Sequence, residues 1–303
     1  MSQAKSDLDE WFSDDLSECA KNGVPIRCDE DPSLHYTSDG KRLGKGGTGE
    51  VFRWTCKNTG KNTGKKVAIK QTPENPFSIH EMITWSAIGH HQNVVRLIEV
   101  FVWQNTIYAV MELMETSLTS IIPSPKNHMQ MLQPTMILMI SRQLICGLLH
   151  MHSRMIHHGD IKSDNVLLGP HGSVKIADFG VSTQHGDLHP DAPNTGTWFW
   201  KSPNSTNSDT ASPFKDDIWS LGITILEILG RDPPFLNQLN GQALIEAIRG
   251  VKTPPPLPNL KCYGQDFERR MHGILEVCLE IDPAERFTAE ELLFLFDRIF
   301  PTN

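Results

Sequence analysis

The spacing of apolar residues divides the chain into two parts. From Tyr36 to Tyr108, short apolar runs are broken by Gly and Asn, which is typical of a small antiparallel sheet. One helix, from about Ser78 to Ile88, is predicted to interrupt that sheet. After Met114 the chain is predicted to be mainly helical, with helices over Thr135–Arg154, Asp217–Gly230 and Ala289–Ile299. We therefore expect an α+β protein with a small β-rich part followed by a larger helical part.

The first 35 residues have a different composition. Up to residue 31 there are nine acidic residues against only Lys5, Lys21 and Arg27. We expect residues 1–35 to form an acidic, flexible extension. An alternative is one or two amphipathic turns built on a few apolar residues, namely Leu8, Trp11, Phe12 and Leu16.

Length, charge and cysteine use restrict the class of protein. A chain of 303 residues suits one two-lobed domain, and nothing in it suggests a second domain. A net charge of −8 argues against nucleic-acid binding and against attachment to a membrane surface. The six cysteines contain no Cys-x-x-Cys pair, which indicates reduced thiols.

The N-terminus is too polar for a signal peptide, and the most apolar stretch, residues 136–149, is too polar for a membrane span. We expect a protein of the cytoplasm or the nucleus, without membrane insertion.

A glycine-rich stretch between two predicted strands is a candidate phosphate-binding loop. Glycines let the backbone approach phosphate groups that bulky side chains would keep away. Alone, such a stretch is more often a plain turn, but Lys70 follows on the next predicted strand and Glu81 on the next predicted helix. In that order, Lys70 is placed to hold nucleotide phosphates and Glu81 to pair with it. The candidate loop residues are Gly44, Lys45, Gly46, Gly47, Thr48 and Gly49.

A polar run from His157 to Asn165 carries the candidate chemistry of phosphoryl transfer. Asp160 is the candidate base for a substrate hydroxyl, and Lys162 can neutralise charge on the transferred phosphoryl group. Asn165 and Asp178, the latter in Asp178-Phe179-Gly180, offer the hard oxygen ligands that Mg²⁺ prefers.

These motifs resemble those of eukaryotic protein kinases over nearly the whole chain, from about Tyr36 to Phe300. Lys162 together with Gly196-Thr197 is similar to the serine/threonine-specific pattern. The sterile-twenty group, particularly the Rac-activated kinases, is the nearest resemblance, carried by Asp31–Thr37, Ile176–Ser182, Asp232–Asn237 and Cys278–Asp282.

The resemblance implies a bilobal fold with an N-lobe over residues 36–114 and a C-lobe over residues 115–303. It also implies ATP and Mg²⁺ as cofactors, protein substrates, a possible activating protein partner, no nucleic acid, and a monomer or transient dimer.

The same resemblance assigns the remaining site residues. Val51, Ala68 and Leu167 would form the apolar walls around adenine, with Met111 at the back of the pocket. Glu112 and Met114 would offer backbone hydrogen bonds to adenine. Substrate binding would involve Thr197, Asp164 and Glu227, the last two as acidic groups that favour basic peptides. The alternative for these two acids is a solvated or structural role.

Two positions depart from the family pattern. Gly159 stands where relatives have the Arg that grips a phosphorylated activation segment. From Gln184 to Asn194 there is also no Ser, Thr or Tyr. We therefore expect activity that does not depend on phosphorylation of this segment, unless another basic residue, such as Arg154 or Lys201, replaces the missing Arg.

The second departure is Asn204, which stands in place of the usual Glu, so Arg286 is expected to lose its carboxylate partner. Two rival readings remain open from the sequence: a pseudokinase scaffold and a small-molecule kinase.

Overall fold

The computed structural model describes residues 16–46, 49–57, 63–122, 131–184, 197–205, 212–234 and 239–301. The chain forms two compact units, Met1–Glu115 and Thr116–Asn303. The described part of the first unit is built on β-strands, and the described part of the second is mainly helical. This is the α+β architecture expected from the apolar pattern.

The first unit contains a six-stranded sheet. Its strands are β1 (Ile26–Cys28), β2 (Tyr36–Lys45), β3 (Glu50–Cys56), β4 (Lys66–Pro73), β5 (Leu97–Trp103) and β6 (Thr106–Glu112). They lie in the order β1-β5-β6-β4-β3-β2. Strands β2 to β6 pair antiparallel, as predicted, whereas β1 pairs parallel to β5.

Alternation along β4 gives the two faces of this sheet different roles. Val67 and Ile69 are buried in a hydrophobic cluster with Tyr36, Trp54 and Phe101. Because successive side chains in a strand point to opposite faces, Ala68 and Lys70 lie on the other face. One face therefore stabilises the unit, and the other carries the predicted phosphate-binding lysine.

The expectation of a flexible extension through residue 35 is wrong for residues 16–35. Residues 16–21 are helical, and Leu16 and Cys19 are almost fully buried. Asn22 Nδ2 donates to Ser86 Oγ at 3.0 Å, and β1 extends the sheet through the pairing of Ile26 with Val100. A few well-spaced apolar residues outweigh the acidic composition of this segment. Residues 1–15, which include Leu8, Trp11 and Phe12, lie outside the described residues.

Helix α1 (Pro76–Ile88) is the one helix predicted inside the sheet region, and it begins two residues earlier than expected. Asn75 caps it: its side chain accepts from the backbone N–H groups of Phe77 and Ser78, and Ser78 Oγ accepts from Asn75 N–H. Pro76 suits the first helical position because its missing N–H is not needed there. Gly89, with φ of 69°, follows the last helical residue. The cap sets the start of the helix that carries Glu81.

The second unit contains five α-helices among the described residues, and three of them match predicted helices. They are α2 (Pro134–His152), α3 (Pro213–Ile228), α4 (Gly241–Arg249), α5 (Gln265–Cys278) and α6 (Ala289–Ile299). Five short strands accompany them, namely β7 (Thr116–Ser117), β8 (Ile156–His157), β9 (Val166–Leu168), β10 (Val174–Ile176) and β11 (Thr183–Gln184). Strand β9 pairs with β10 and β7, and β11 pairs with β8.

Helix α2 forms part of the core of this unit. By length and composition alone it could cross a membrane. Within the unit it packs against α6 and β10, with Ile137, Leu144 and Leu148 fully buried. Core helices and membrane spans share this composition, and here the apolar side chains are used for packing.

Candidate active site

A buried ion pair lies in the first unit. Lys70 Nζ on β4 donates to Glu81 Oε1 on α1 at 2.6 Å, and the two residues are only 7% and 2% exposed. Removing two charges from water carries a large desolvation penalty, so a buried pair is weak evidence for a role in stability alone. The structure thus brings together the lysine and glutamate that the sequence proposed as a phosphate-binding pair.

The glycine-rich stretch forms the turn between β2 and β3. The N–H of Gly46 donates to Gly49 O at 2.9 Å, and Gly44 pairs with Val51 across the two strands. A Cβ on Gly49 would lie 2.4 Å from the carbonyl oxygen of Gln71, so no other residue fits without a backbone shift. Lys45 is exposed at the end of β2. Gly47 and Thr48 lie outside the described residues.

Four predicted nucleotide-binding residues share one face of the sheet. Val51 is opposite Lys70, and Ala68 is opposite Met111. Directly opposed residues on antiparallel strands project to the same side, so all four belong to the face away from the hydrophobic cluster. Glu112 ends β6 and Met114 follows it. The first unit therefore offers an apolar surface beside a buried cation.

The second unit holds the candidate catalytic loop on a buried carboxylate. Asp217 on α3 accepts hydrogen bonds from the backbone N–H groups of His158 and Gly159, each at 2.8 Å. His152 Nε2 lies 2.9 Å from the same carboxylate. Burial alone would raise the pKa of Asp217, but the His152 hydrogen bond and the neighbouring histidines outweigh it and lower the pKa to about 2. The loop is thus held by a permanent negative charge.

Asp160 is the centre of a network of hydrogen bonds. Its Oδ1 accepts from Thr197 N–H at 2.8 Å, and its Oδ2 accepts from Lys162 Nζ at 2.6 Å and Asn165 Nδ2 at 3.0 Å. Lys162 Nζ also donates to Thr197 Oγ1 at 2.5 Å. Three of the predicted catalytic and metal residues and one predicted substrate residue therefore meet at one carboxylate.

Asn165 and Asp178 are adjacent in the second unit and suit Mg²⁺. Asn165 directs its Nδ2 to Asp160, which leaves its Oδ1 as the atom that can bind a metal. The backbone of Asn165 accepts from Ala177 N–H at 2.8 Å, which brings the following Asp178 close. Asp178 is exposed and has a left-handed φ of 65°. Mg²⁺ commonly takes one or two protein oxygens together with phosphate and water, so this donor set fits the ion.

The two acids proposed for substrate binding have different environments. Asp164 is exposed and accepts from Thr119 Oγ1 at 3.0 Å. Glu227 on α3 is mostly buried, and its two oxygens accept from Ser163 Oγ and Trp200 Nε1, each at 2.8 Å. Burial raises the pKa of Glu227 to about 7 despite those hydrogen bonds. Glu227 therefore connects the catalytic loop to the segment around Trp200, while Asp164 faces solvent.

Asn204 offers Arg286 an amide oxygen in place of the expected carboxylate, but a different carboxylate, that of Asp216, also lies beside Arg286. Its fully buried guanidinium donates to Asp216 Oδ1 at 3.4 Å and to Asn204 Oδ1 at 3.4 Å. It also donates to Glu280 O at 2.8 Å and lies 5.2 Å from the ring centre of Trp219. Asp216 supplies the charge that Asn204 lacks, and no sequence spacing indicates this because the three residues are far apart in the chain.

Comparison with known proteins agrees with this geometry. The protein kinase domain profile matches residues 37–294, most of the chain. The chain belongs to the protein kinase family. This kinase is 33% identical over 269 residues to the serine/threonine-protein kinase STE20 of Kluyveromyces lactis, covering 87% of this chain and 26% of that protein.

Two further relatives are of the same group. The kinase is 33% identical over 258 residues to the serine/threonine-protein kinase PAK mbt of Drosophila melanogaster, covering 83% of this chain and 38% of that protein. It is 31% identical over 270 residues to shk1/pak1 of Schizosaccharomyces pombe, covering 87% of this chain and 38% of that protein. The resemblance to the sterile-twenty and Rac-activated kinases is thereby confirmed. The chain spans between about a quarter and two fifths of these relatives' length.

The described residues also include contacts that sequence reasoning missed. Ser163 and Trp200 bind Glu227, and Asp216 binds Arg286. None of them belongs to a motif whose residue types indicate the contact. Leu167, the remaining predicted adenine-wall residue, lies on β9 in the second unit.

The environment of Glu227 predicts a pH-dependent stability. A folded-state pKa of about 7 lies above the ordinary value of 4.5, so the folded protein retains this proton more strongly than the unfolded chain. The resulting stabilisation is fully present below pH 4.5 and is lost as pH rises through 7. It amounts to roughly 3 kcal/mol. Between pH 5 and pH 8 the free energy of unfolding of wild type should therefore fall by about 2.5 kcal/mol relative to that of Glu227→Gln, since a small part of the stabilisation is already lost at pH 5.

Urea unfolding at a series of pH values measures this difference. The exposed Glu285→Gln provides the matched control, for which the gap from wild type should stay constant. Parallel pH curves for wild type and Glu227→Gln would contradict the assignment.

Proposed function

We propose that this kinase transfers the γ-phosphoryl group of ATP, with Mg²⁺, to Ser or Thr hydroxyls of protein substrates. The observation that carries the proposal is the Asp160 carboxylate, which is held by Lys162, Asn165 and Thr197. A carboxylate beside a cation, with metal-binding oxygens adjacent, is the arrangement that phosphoryl transfer needs.

Each residue has a distinct part in the transfer. Asp160 orients the substrate hydroxyl and accepts its proton as the new oxygen–phosphorus bond forms. The bond from the γ-phosphorus to the bridging oxygen breaks, and ADP leaves. Lys162 Nζ neutralises charge on the phosphoryl group, and Lys70, held by Glu81, binds the α- and β-phosphates. Mg²⁺ bound by Asn165 and Asp178 would neutralise further phosphate charge.

The names of the relatives support protein substrates and a place in signalling. The STE20 and PAK proteins are named serine/threonine-protein kinases. The bond between Lys162 and Thr197 in this chain is consistent with the serine/threonine pattern. A scaffold without catalysis has little support, because Lys70, Glu81, Asp160, Asn165 and Asp178 are all retained.

Location, assembly and control are also proposals. All six cysteines are free thiols, which supports a reducing compartment such as the cytoplasm. The net charge of −8 supports action on proteins and not on nucleic acid. We propose a monomer or transient dimer that an activating protein partner can regulate.

Substituting the base or the phosphate-binding lysine should abolish transfer. Asp160→Asn removes the proton acceptor, and Lys70→Met misplaces the phosphates, so each should lower kcat by at least about 100-fold. The measurement is incorporation of labelled phosphate into a Ser/Thr peptide mixture, with thermal unfolding as the check on folding. The exposed Asp266→Asn is the matched control and should retain full activity. Activity that survives both changes would refute the proposed function.

Basic peptides should be preferred, and more strongly at higher pH. Asp164 is an exposed carboxylate, and Glu227 becomes charged as pH passes about 7. Peptide arrays at pH 6.3 and pH 8 should show a preference for Arg or Lys upstream of the acceptor that increases with pH. In Glu227→Gln the increase should vanish. An array without any basic preference would show that both acids have only structural or solvated roles.

Activity should not require a phosphate on the segment from Gln184 to Thr195. Gly159 has no side chain to bind such a phosphate, whereas relatives have an Arg there. The purified protein, after treatment with a broad phosphatase and confirmation by mass spectrometry, should keep its activity within about twofold. A large loss of activity that rephosphorylation of Thr195 restores would contradict this expectation.

A further inference from the structure

Lys201 lies directly against the position where relatives carry an arginine. Its Nζ donates to the carbonyl oxygen of Gly159 at 2.9 Å, although the two residues are 42 positions apart. Lys201 is mostly buried, in the short segment that follows Thr197. The other basic candidate, Arg154, is exposed and its Nη1 is 3.0 Å from His150 Nδ1. Only one of the two candidate residues therefore contacts the catalytic loop.

The backbone at residue 159 is suited to glycine and not to arginine. Gly159 has φ of 78°, in the region that residues with a side chain rarely adopt. A Cβ there would lie 3.1 Å from the carbonyl oxygen of Val181. In this loop conformation residue 159 cannot carry an arginine side chain. A positive charge beside the catalytic loop must therefore come from another residue.

The carbonyl that Lys201 binds belongs to the peptide bond that leads into Asp160. The N–H of the same peptide donates to His158 Nδ1 at 3.1 Å. Both sides of this peptide are therefore held, the N–H by the imidazole and the carbonyl by the ammonium group. Because the peptide unit is planar, holding both of its polar groups fixes the position of the Asp160 Cα, and through it Lys201 supports the base.

Several carboxylates lie near the buried charge of Lys201. Burial lowers the pKa of Lys201, while Asp160, Asp217 and Asp216 oppose that effect. A buried ammonium group is stable only when it is paired and hydrogen-bonded, and here the carbonyl and the nearby acids fulfil that need.

We propose that Lys201 is a positioning residue that replaces the missing arginine and orients Asp160 without a phosphate. The segment from Thr197 to Lys201 is attached to the catalytic loop at both ends, by Thr197 at Asp160 and by Lys201 at Gly159. Trp200 binds Glu227 between these two attachments. The ammonium group of Lys201 thus joins the catalytic loop to the segment from Thr197 to Lys201. In relatives, an arginine and a phosphorylated segment make this connection. This inference rests on the proposed phosphoryl transfer.

The test compares Lys201→Met, which has similar length without the charge, with Lys201→Arg, which keeps the charge. Lys201→Met should lower kcat about 100-fold, as expected for a small misplacement of a catalytic group, with the dissociation constant for ATP unchanged. Its thermal midpoint should fall by several degrees, because removing one partner of a buried charge cluster leaves the nearby acids and the Gly159 carbonyl without their cation, so kcat is compared well below the midpoint of every variant. Lys201→Arg should recover most of kcat, and the exposed Lys261→Met is the matched control.

Hydrogen exchange gives a second measurement that does not depend on activity. In Lys201→Met, amides of residues 158–161 and 197–201 should exchange faster, and in Lys201→Arg they should not. If Lys201→Met exchanges faster than wild type while the wild type itself transfers no phosphate, the proposed function is refuted and the positioning role stands. A kcat within about twofold of wild type in Lys201→Met, or equal losses of kcat and stability in both variants, would overturn the inference.

Discussion

The catalytic loop depends on one buried carboxylate. Asp217 accepts hydrogen bonds from the backbone N–H groups of His158 and Gly159, the two residues before the candidate base Asp160. Buried backbone donors need partners, and a charged acceptor gives stronger hydrogen bonds than a neutral one. Helix α3, which carries Asp217, is buried along most of its length, so the acceptor is part of the core. The position of Asp160 therefore follows from core packing through a short chain of hydrogen bonds.

The same helix joins three parts of the second unit. Asp216 contacts Arg286, Asp217 holds the catalytic loop, and Glu227 reaches both Ser163 and Trp200. These three acids differ in protonation behaviour because their surroundings differ: burial raises the pKa values of Asp216 and Glu227, whereas at Asp217 the neighbouring histidines outweigh burial and lower the pKa. One apolar helix thus carries both a permanently charged anchor and a group that titrates near neutral pH.

Much of the fold and the site follows from local sequence. The helix predicted over Ala289–Ile299 has its observed bounds, and in the structure Thr288 and Glu291 form a capping box at its start. Lys70, Glu81, Asp160 and Asn165 were found because phosphoryl transfer demands those residue types in that order. Local patterns carry such information because each motif is short and contiguous.

Contacts between distant segments were not accessible in the same way. The packing of residues 16–35 depends on pairing with β5, about 70 residues away, and the acidic composition gave no indication of it. The contacts of Asp216 with Arg286 and of Trp200 with Glu227 likewise join residues that are distant in the sequence and meet only in the folded chain. Lys201 could be named as one of two basic candidates, but its contact with Gly159 required the fold.

The added strand β1 also determines where an independent folding unit can begin. A chain that started at Tyr36, close to the start of the family match, would leave β5 as an exposed edge with Val100 and Phe101 on it. Unpaired edges of this kind invite pairing with other chains and aggregation. It would also lose the bond from Asn22 to Ser86 near the end of the helix that carries Glu81. The acidic segment therefore protects both the solubility of the sheet and the support of its catalytic helix.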